Sequence, residues 1–287
     1  MSRTSKVLST GLLRARLELR VLVRNRSVLF SQLQLANVVM LVVLGKVIGD
    51  DPIGGSGQPQ VTLFVAGFVA LAVCQATILQ FPLALATDRE DGTLLRARGI
   101  PDGVATYLVG RVTVVLITVV VNVALVLVVA ALVLRAPMPS TVGAWFTLLW
   151  VLALSTCAAT LLGAAVGAML PGARQGTGWV LLPLMGLMVI SGTVIPFTLM
   201  PGVVQAVASV FPLRWMAQGV RSALYEPAYA AYEVAGSWQH AETAGVLLVW
   251  VVVGAVVAPR LIARTTRRET GSALEERRDE ASRRVGI

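Results

Sequence analysis

Long apolar runs separated by short polar islands set the pattern of this chain. Between Lys46 and Asp88 the only charged residues are Asp50 and Asp51, and between Arg111 and Arg214 only Arg135 and Arg174. A bilayer-crossing helix needs about 20 apolar residues to match a core roughly 30 Å thick. The runs predict spans over 27–45, 61–86, 112–134, 142–170, 179–194 and 243–262. The first is the most polar, with Gln32, Gln34 and Asn37, and amides inside a span face protein rather than lipid. In the second, Pro82 predicts a kink near one end. The fourth carries Gly163 and Gly167, a spacing that lets another helix approach closely.

Ahead of the first span, residues 9–26 place Leu12, Leu13, Leu17, Val21 and Leu22 at helical spacing among Arg14, Arg16, Arg20 and Arg24. This predicts an amphipathic helix lying in the membrane interface. Its basic stretch is too long for a secretory signal, and no small-residue cleavage site follows. A different break occurs at 175–213, where 39 residues pass without a charge. As one helix they would reach roughly 58 Å, far beyond a hydrocarbon core. Pro183, Gly192, Pro196, Pro201 and Pro212 interrupt them. One span followed by two short helices, 201–210 and 213–224, is expected, entering and leaving by the same face, so that 195–224 is re-entrant. A simple apolar external loop is the alternative. Residues 50–60, 135–140 and 225–240 are expected outside, the last with Tyr225, Tyr229, Tyr232 and Trp238 as an interfacial belt. Residues 171–178 return the chain to the cytoplasm, and the tail 263–287 alternates acids and bases, as a solvated helix or disorder.

The island at 87–101, TDREDGTLLRARGIP, holds three acids and three arginines. Thr87 with Glu90 three residues later fits a capping box. Gly92 breaks the chain, Thr93 can cap a short helix through Leu94, Leu95 and Ala97, and Gly99 and Pro101 end it. Such a helix, held outside the membrane, suits docking into a groove of another protein, and it suits equally a solvated connector.

Composition agrees with the pattern. Hydrophobic residues make up 56% and charged residues 14% of 287, with mean hydropathy +0.78, against about 25% charged in soluble domains. The net charge of +9 is not spread as a nucleic-acid footprint. With six spans and both termini in the cytoplasm, 20 of the 24 Lys and Arg fall inside and only Lys46, Arg135, Arg214 and Arg221 outside, the bias that orients spans. The fold class is therefore all-α and polytopic. Residues 1–262 form one membrane domain and 263–287 a charged cytoplasmic tail.

Chemistry enters mostly by exclusion. The only lysines, Lys6 and Lys46, lack a glycine-rich phosphate loop, so the chain has no ATPase site of that kind. No acid lies near a span midplane, which disfavours proton coupling. His240 is the sole histidine, and Cys74 and Cys157 sit in apolar runs as packing residues, so no metal site is expected. Gln32, Gln34, Asn37, Gln75, Gln80 and Asn122 are the polar candidates for a substrate path, and each suits a helix-packing hydrogen bond as well.

The REDGTLLRARGIP stretch from Arg89, Gly110-Arg111, SGTVIPFTLMP from Ser191 and FPLRWMAQGVR from Phe211 resemble the permease subunits of ABC type-2 exporters, the daunorubicin-resistance-like drug and lipid export group among them. The resemblance covers about 12–262. It implies that 9–26 is the elbow helix and that 88–101 is a coupling loop, in which Glu90, Asp91, Gly92, Thr93, Leu94, Leu95 and Arg96 dock on a separate ABC ATPase. Gly192, Pro196, Pro201 and Pro212 would belong to an external gate. It further implies two ATPase copies carrying ATP and Mg, a second permease (identical or homologous), membrane lipid around them, no nucleic acid, and a plasma (inner) membrane location. Polysaccharide-exporting members often carry aromatic rings along their path. Here aromatics are 6%, which tilts toward multidrug efflux and antibiotic resistance or lipid export. A non-transporting membrane scaffold or assembly factor is the rival; it expects no bound ATPase.

Overall fold

A computed structural model describes residues 3–48, 60–170, 172–193 and 195–285, with side chains to Ile262. The expected external turn at 50–60 therefore lies almost wholly outside the described residues, as does the Leu95 side chain. The described residues are helical and contain no strand. Their helices are α1 (Arg3–Arg24), α2 (Arg26–Gln32), α3 (Leu35–Val47), α4 (Gln60–Cys74), α5 (Phe81–Glu90), α6 (Thr93–Arg98) and α7 (Gly103–Val133). They continue as α8 (Val142–Met169), α9 (Ala173–Ile190), α10 (Gly202–Val210), α11 (Pro212–Leu224) and α12 (His240–Val285).

Four stretches are long and apolar enough to cross a membrane: Gln60–Glu90, Gly103–Val133, Val142–Met169 and His240–Ile262. Two further apolar helices, Leu35–Val47 and Gly176–Ile190, are shorter. The first expected span is thus not one helix. It breaks at Gln34, whose φ of 47° is left-handed, and no Gly or Pro signals that break. The fifth begins earlier than expected, because α9 starts at Ala173 and the return at 171–178 is mostly helix. The third starts at Gly103, inside the expected loop. The tail takes the helical alternative, since α12 runs on to Val285.

Helix α4 is the centre. It is apolar all round and buried all round, the signature of a core helix rather than an amphipathic one. It packs on α3, α7, α8 and α11. Its continuation does not reach Pro82 as plain α-helix. Residues Gln75–Gln80 instead form a π segment, and the Phe81 amide reaches back to the Ala76 carbonyl. With that five-residue offset the next donor for Thr77 would be residue 82, and proline has no amide to give. Helix α8 covers this spot with glycines. A Cβ on Gly163 would stand 1.9 Å from the Thr77 carbonyl oxygen, and one on Gly167 would stand 3.0 Å from Pro82 Cα. The pair lets α8 lie directly on the irregular backbone.

Helix α1 lies along α7 and buries Ala15, while Leu12, Leu13, Leu17 and Val21 stay exposed. The two short helices after α9 begin at the prolines that predicted them. Pro201 precedes α10 and Pro212 opens α11, where its fixed φ and missing amide fit the first helical turn. Helix α11 is buried on nearly every face between α4, α8 and α12.

Gly163→Ala is expected to lower the thermal midpoint in detergent, at a cost of about 1–3 kcal/mol, because the intruding methyl meets backbone that cannot turn aside. Gly186→Ala in α9, with nothing within 4 Å of its Cβ position, is expected to leave the midpoint unchanged or raised. Equal midpoints for wild type and Gly163→Ala would contradict the packing described.

Candidate functional site

The alternation of helices puts two ends on the molecule. One gathers α1, the α5–α6–α7 connection and the α8–α9 connection; the other gathers residues 134–142 and 191–240. At the first end the last three residues of α5 point three ways. Asp88 accepts a hydrogen bond from the Tyr107 hydroxyl at 2.5 Å and one from Arg111, both on α7. Arg111 also donates to Glu18 on α1 at 3.2 Å, and Arg14 donates to the same carboxylate at 2.9 Å while stacking over the Tyr107 ring. Arg89 donates to the Leu170 carbonyl at 2.8 Å, where α8 ends. The Glu90 carboxylate lies against Gly172, just before α9. One short segment therefore ties together α7, α8 and the start of α9, and Arg111 joins α1 to it.

This changes the reading of the island. Thr87 does not cap: it lies inside α5 and its hydroxyl donates to the Leu83 carbonyl. Helix α5 runs through Glu90 and turns at Gly92, whose φ of 69° is the left-handed conformation glycine takes without strain. Thr93 is the first residue of α6, not its cap, and its hydroxyl accepts from Arg96. Leu94 is buried against Leu85, Ala97 and Tyr107 of its own chain. It therefore holds α6 to the body and is not available to fill a partner's cleft. Asp91 and Arg96 are exposed, and Gly92 and Thr93 half-buried.

Beside α6, a hollow of about 590 Å3 separates it from α1 and carries Lys6, Arg14, Arg96 and Asp102. Asp102 is gripped by Arg3, with Nε to Oδ2 at 2.8 Å. The bond to Arg3 holds the Asp102 carboxyl below its ordinary 3.8. The tether is thus intact at neutral pH and is lost only as the pH falls through that depressed value.

The polar candidates fall into two groups. Gln34, Asn37, Gln75 and Asn122 knit the α2–α3 break to its neighbours. Asn37 donates to Gln75 at 2.7 Å and to Gln34 at 3.2 Å, Gln34 donates to the Ala72 carbonyl at 3.4 Å, and Asn122 donates to the Gln32 carbonyl at 3.0 Å. Gln32 and Gln80 line a cavity of about 470 Å3 between α1, α2, the π segment, α5 and α7. Its wall also includes Glu18, Asp88 and Arg111. The sequence reading missed Glu18, Tyr107 and Asp88 as a cluster. The signal was present: Glu18 is the lone acid of α1 and Arg111 the lone charge of α7, and isolated charges in such places need partners.

At the other end the four proline and glycine positions sit where elements start or turn. Gly192 has φ 73° and its carbonyl accepts from Arg221 at 3.3 Å. Pro196 leads into a short 3-10 turn, Phe197–Leu199. Arg221, buried on α11, donates to both carboxylate oxygens of Glu233, at 2.8 and 3.1 Å. Arg214 lies over the Phe197 and Trp215 rings at 4.3 and 4.2 Å. Burial, with the nearby Arg221, lowers its pKa to about 10, so it stays charged at neutral pH. Two arginines of one helix thus hold the connections before α10 and after α11.

The family model for the ABC-2 type transporter matches residues 14–225. The chain belongs to the ABC-2 type transporter family. The match runs from Arg14 in α1 past the end of α11, so it takes in the cavity, the island and both arginines. Among curated proteins, none matches the chain. The ABC-2 transporter chain is a membrane protein and a transmembrane permease component, a class that typically has no ATPase site of its own and generally works with an ABC ATPase.

Removing one partner from a half-buried charge cluster leaves the rest uncompensated. Asp88→Asn and Arg111→Gln should each destabilise the protein, and the double variant should lose less than the two together, by a coupling of about 1–3 kcal/mol. Unfolding in detergent measures the cycle; strict additivity would show that the bond carries no weight.

Proposed function

We propose that this permease crosses the plasma (inner) membrane six times with both termini in the cytoplasm, and exports an amphipathic or hydrophobic compound. The two shorter helices, α3 and α9, act as the remaining spans. Helices α10 and α11 form the re-entrant segment at the outer side. Two such permeases, identical or homologous, form the path, and two ABC ATPase subunits bind ATP and Mg and supply the energy. Closure of the ATPases presses on α6 and reopens the path outward. Substrates of the drug and lipid export group, with roles in multidrug efflux or antibiotic resistance, are favoured by the small aromatic content.

The observation that carries this reading is the exposed end of α5–α6. Asp91 and Arg96 face outward while Asp88, Arg89 and Leu94 are engaged with their own chain. A push on α6 therefore reaches α1, α7 and the start of α9 through α5 without any long-range relay. The basic hollow beside it suits an acidic surface on the ATPase.

Two experiments test the proposal. In co-purification with the ATPase, Arg96→Glu combined with Asp91→Lys should release the partner with an unchanged melting profile, since exposed pairs of ~0.2–1 kcal/mol each are reversed. Leu94→Asp should release it while also lowering the melting temperature, because burial of about 1.5–3 kcal/mol is lost. Full retention of the ATPase by the charge-reversed variant would leave the scaffold reading. For topology, a cysteine at Ser237 should be labelled from outside the cell; labelling only from the cytoplasm would overturn the orientation.

A further inference from the structure

We infer that the cavity beneath α1 is a site for a membrane phospholipid with a primary-amine headgroup. The inference needs only that the chain sits in a bilayer, so it stands or falls apart from the ATPase experiments. The cavity holds about 470 Å3, within the roughly 300–1,000 Å3 that accommodates a small ligand. Its mouth is marked by lining residues that are also exposed: Leu17 at 59%, Val21 at 68% and Val28 at 40%. These belong to the apolar faces of α1 and α2, which in a membrane protein meet lipid. The occupant therefore enters from the bilayer and not from water.

The inner wall states what its head must be. Glu18, Asp88 and Arg111 line it, and Arg14 stands behind Glu18. Two carboxylates and two guanidiniums make a neutral cluster, which opposes a head of net charge and accepts a zwitterion. Two polar atoms on lining residues are buried with no partner among the described residues, Gln80 Oε1 and Arg111 Nε. One is an acceptor and the other a donor, and each left unpaired is costly. A phosphoethanolamine head supplies both complements. Its ammonium donates to Gln80 Oε1 and the nearby carboxylates, and its phosphate accepts from Arg111. A choline head has no proton to donate, and a glycerol head carries net negative charge beside Glu18 and Asp88.

The surface of α1 argues for the opposite lipid. Arg16, Arg20 and Arg24 would draw anionic phospholipid by simple electrostatics, so the two sites separate by headgroup. The test uses purified full-length protein in detergent micelles with tail-labelled phospholipids bearing ethanolamine, choline or glycerol heads, read by fluorescence anisotropy. Ethanolamine lipid should bind about tenfold tighter than choline lipid, the worth of one charge-assisted hydrogen bond. Gln80→Leu should remove most of that margin and leave choline-lipid binding unchanged, and Ala84→Phe, which fills the cavity, should abolish the preference. Gel-filtration profile and helicity confirm that each variant is folded, and Gln80→Leu carries the test if Ala84→Phe does not fold. Equal affinity for ethanolamine and choline lipid, glycerol-lipid binding that Ala84→Phe abolishes, or an ethanolamine preference that survives Gln80→Leu would overturn the assignment.

Discussion

Everything at one end of this permease depends on how α8 lies on the irregular backbone before Pro82. A proline inside a long helix removes a donor and crowds the preceding turn. Here the chain absorbs that defect by widening into the Gln75–Gln80 π segment. Such a segment presents backbone, and only a neighbour without side chains can cover it. Gly163 and Gly167 provide that neighbour. The contact fixes the direction in which α5 leaves the core, and with it the places that Asp88, Arg89 and Glu90 can reach. A shift of α8 by one residue would set Leu162 or Ala164 against the Thr77 carbonyl, where not even a Cβ fits.

From that fixed direction the functional logic follows. The charged residues of the island divide into two kinds. Those at the end of α5 are spent within the chain, binding α7 and the α8–α9 connection. Asp91 at the turn and Arg96 on α6 remain outside. A segment anchored on one side and free on the other is the arrangement that the proposed coupling role requires. The other end is built on the same economy. Helix α11 is buried, and its two arginines reach out of the core to hold the loops that precede and follow it.

Much of this was legible in the residues. The short helices after α9 were announced by Pro201 and Pro212, because proline states where a helix can begin. The island stood out because charge was scarce elsewhere. Four features were hidden for physical reasons. The left-handed turn at Gln34 is held by its tertiary bond to the Ala72 carbonyl and its local bond from Asn37, not by a glycine. Thr87 and Glu90 carry a capping pattern, yet a threonine hydroxyl bonds the carbonyl four residues back equally well within a helix. Leu94 looked free because a six-residue helix has no sequence period long enough to show which face is buried. The Glu18–Arg111–Asp88 cluster spans three helices: the lone acid of α1 and the lone charge of α7 signal that each needs a partner, but no spacing along the chain says which one.

The central claim is that the α5–α6 end receives the ATPase. The most direct measurement is site-specific photo-crosslinking in native membranes, with the photoreactive residue placed at Asp91, at Arg96, or at Ser237 at the far end. The account predicts adducts with an ABC ATPase from positions 91 and 96 that strengthen or weaken with nucleotide, and none from 237. Adducts from 237, or their absence from both 91 and 96 in membranes that contain the ATPase, would contradict it.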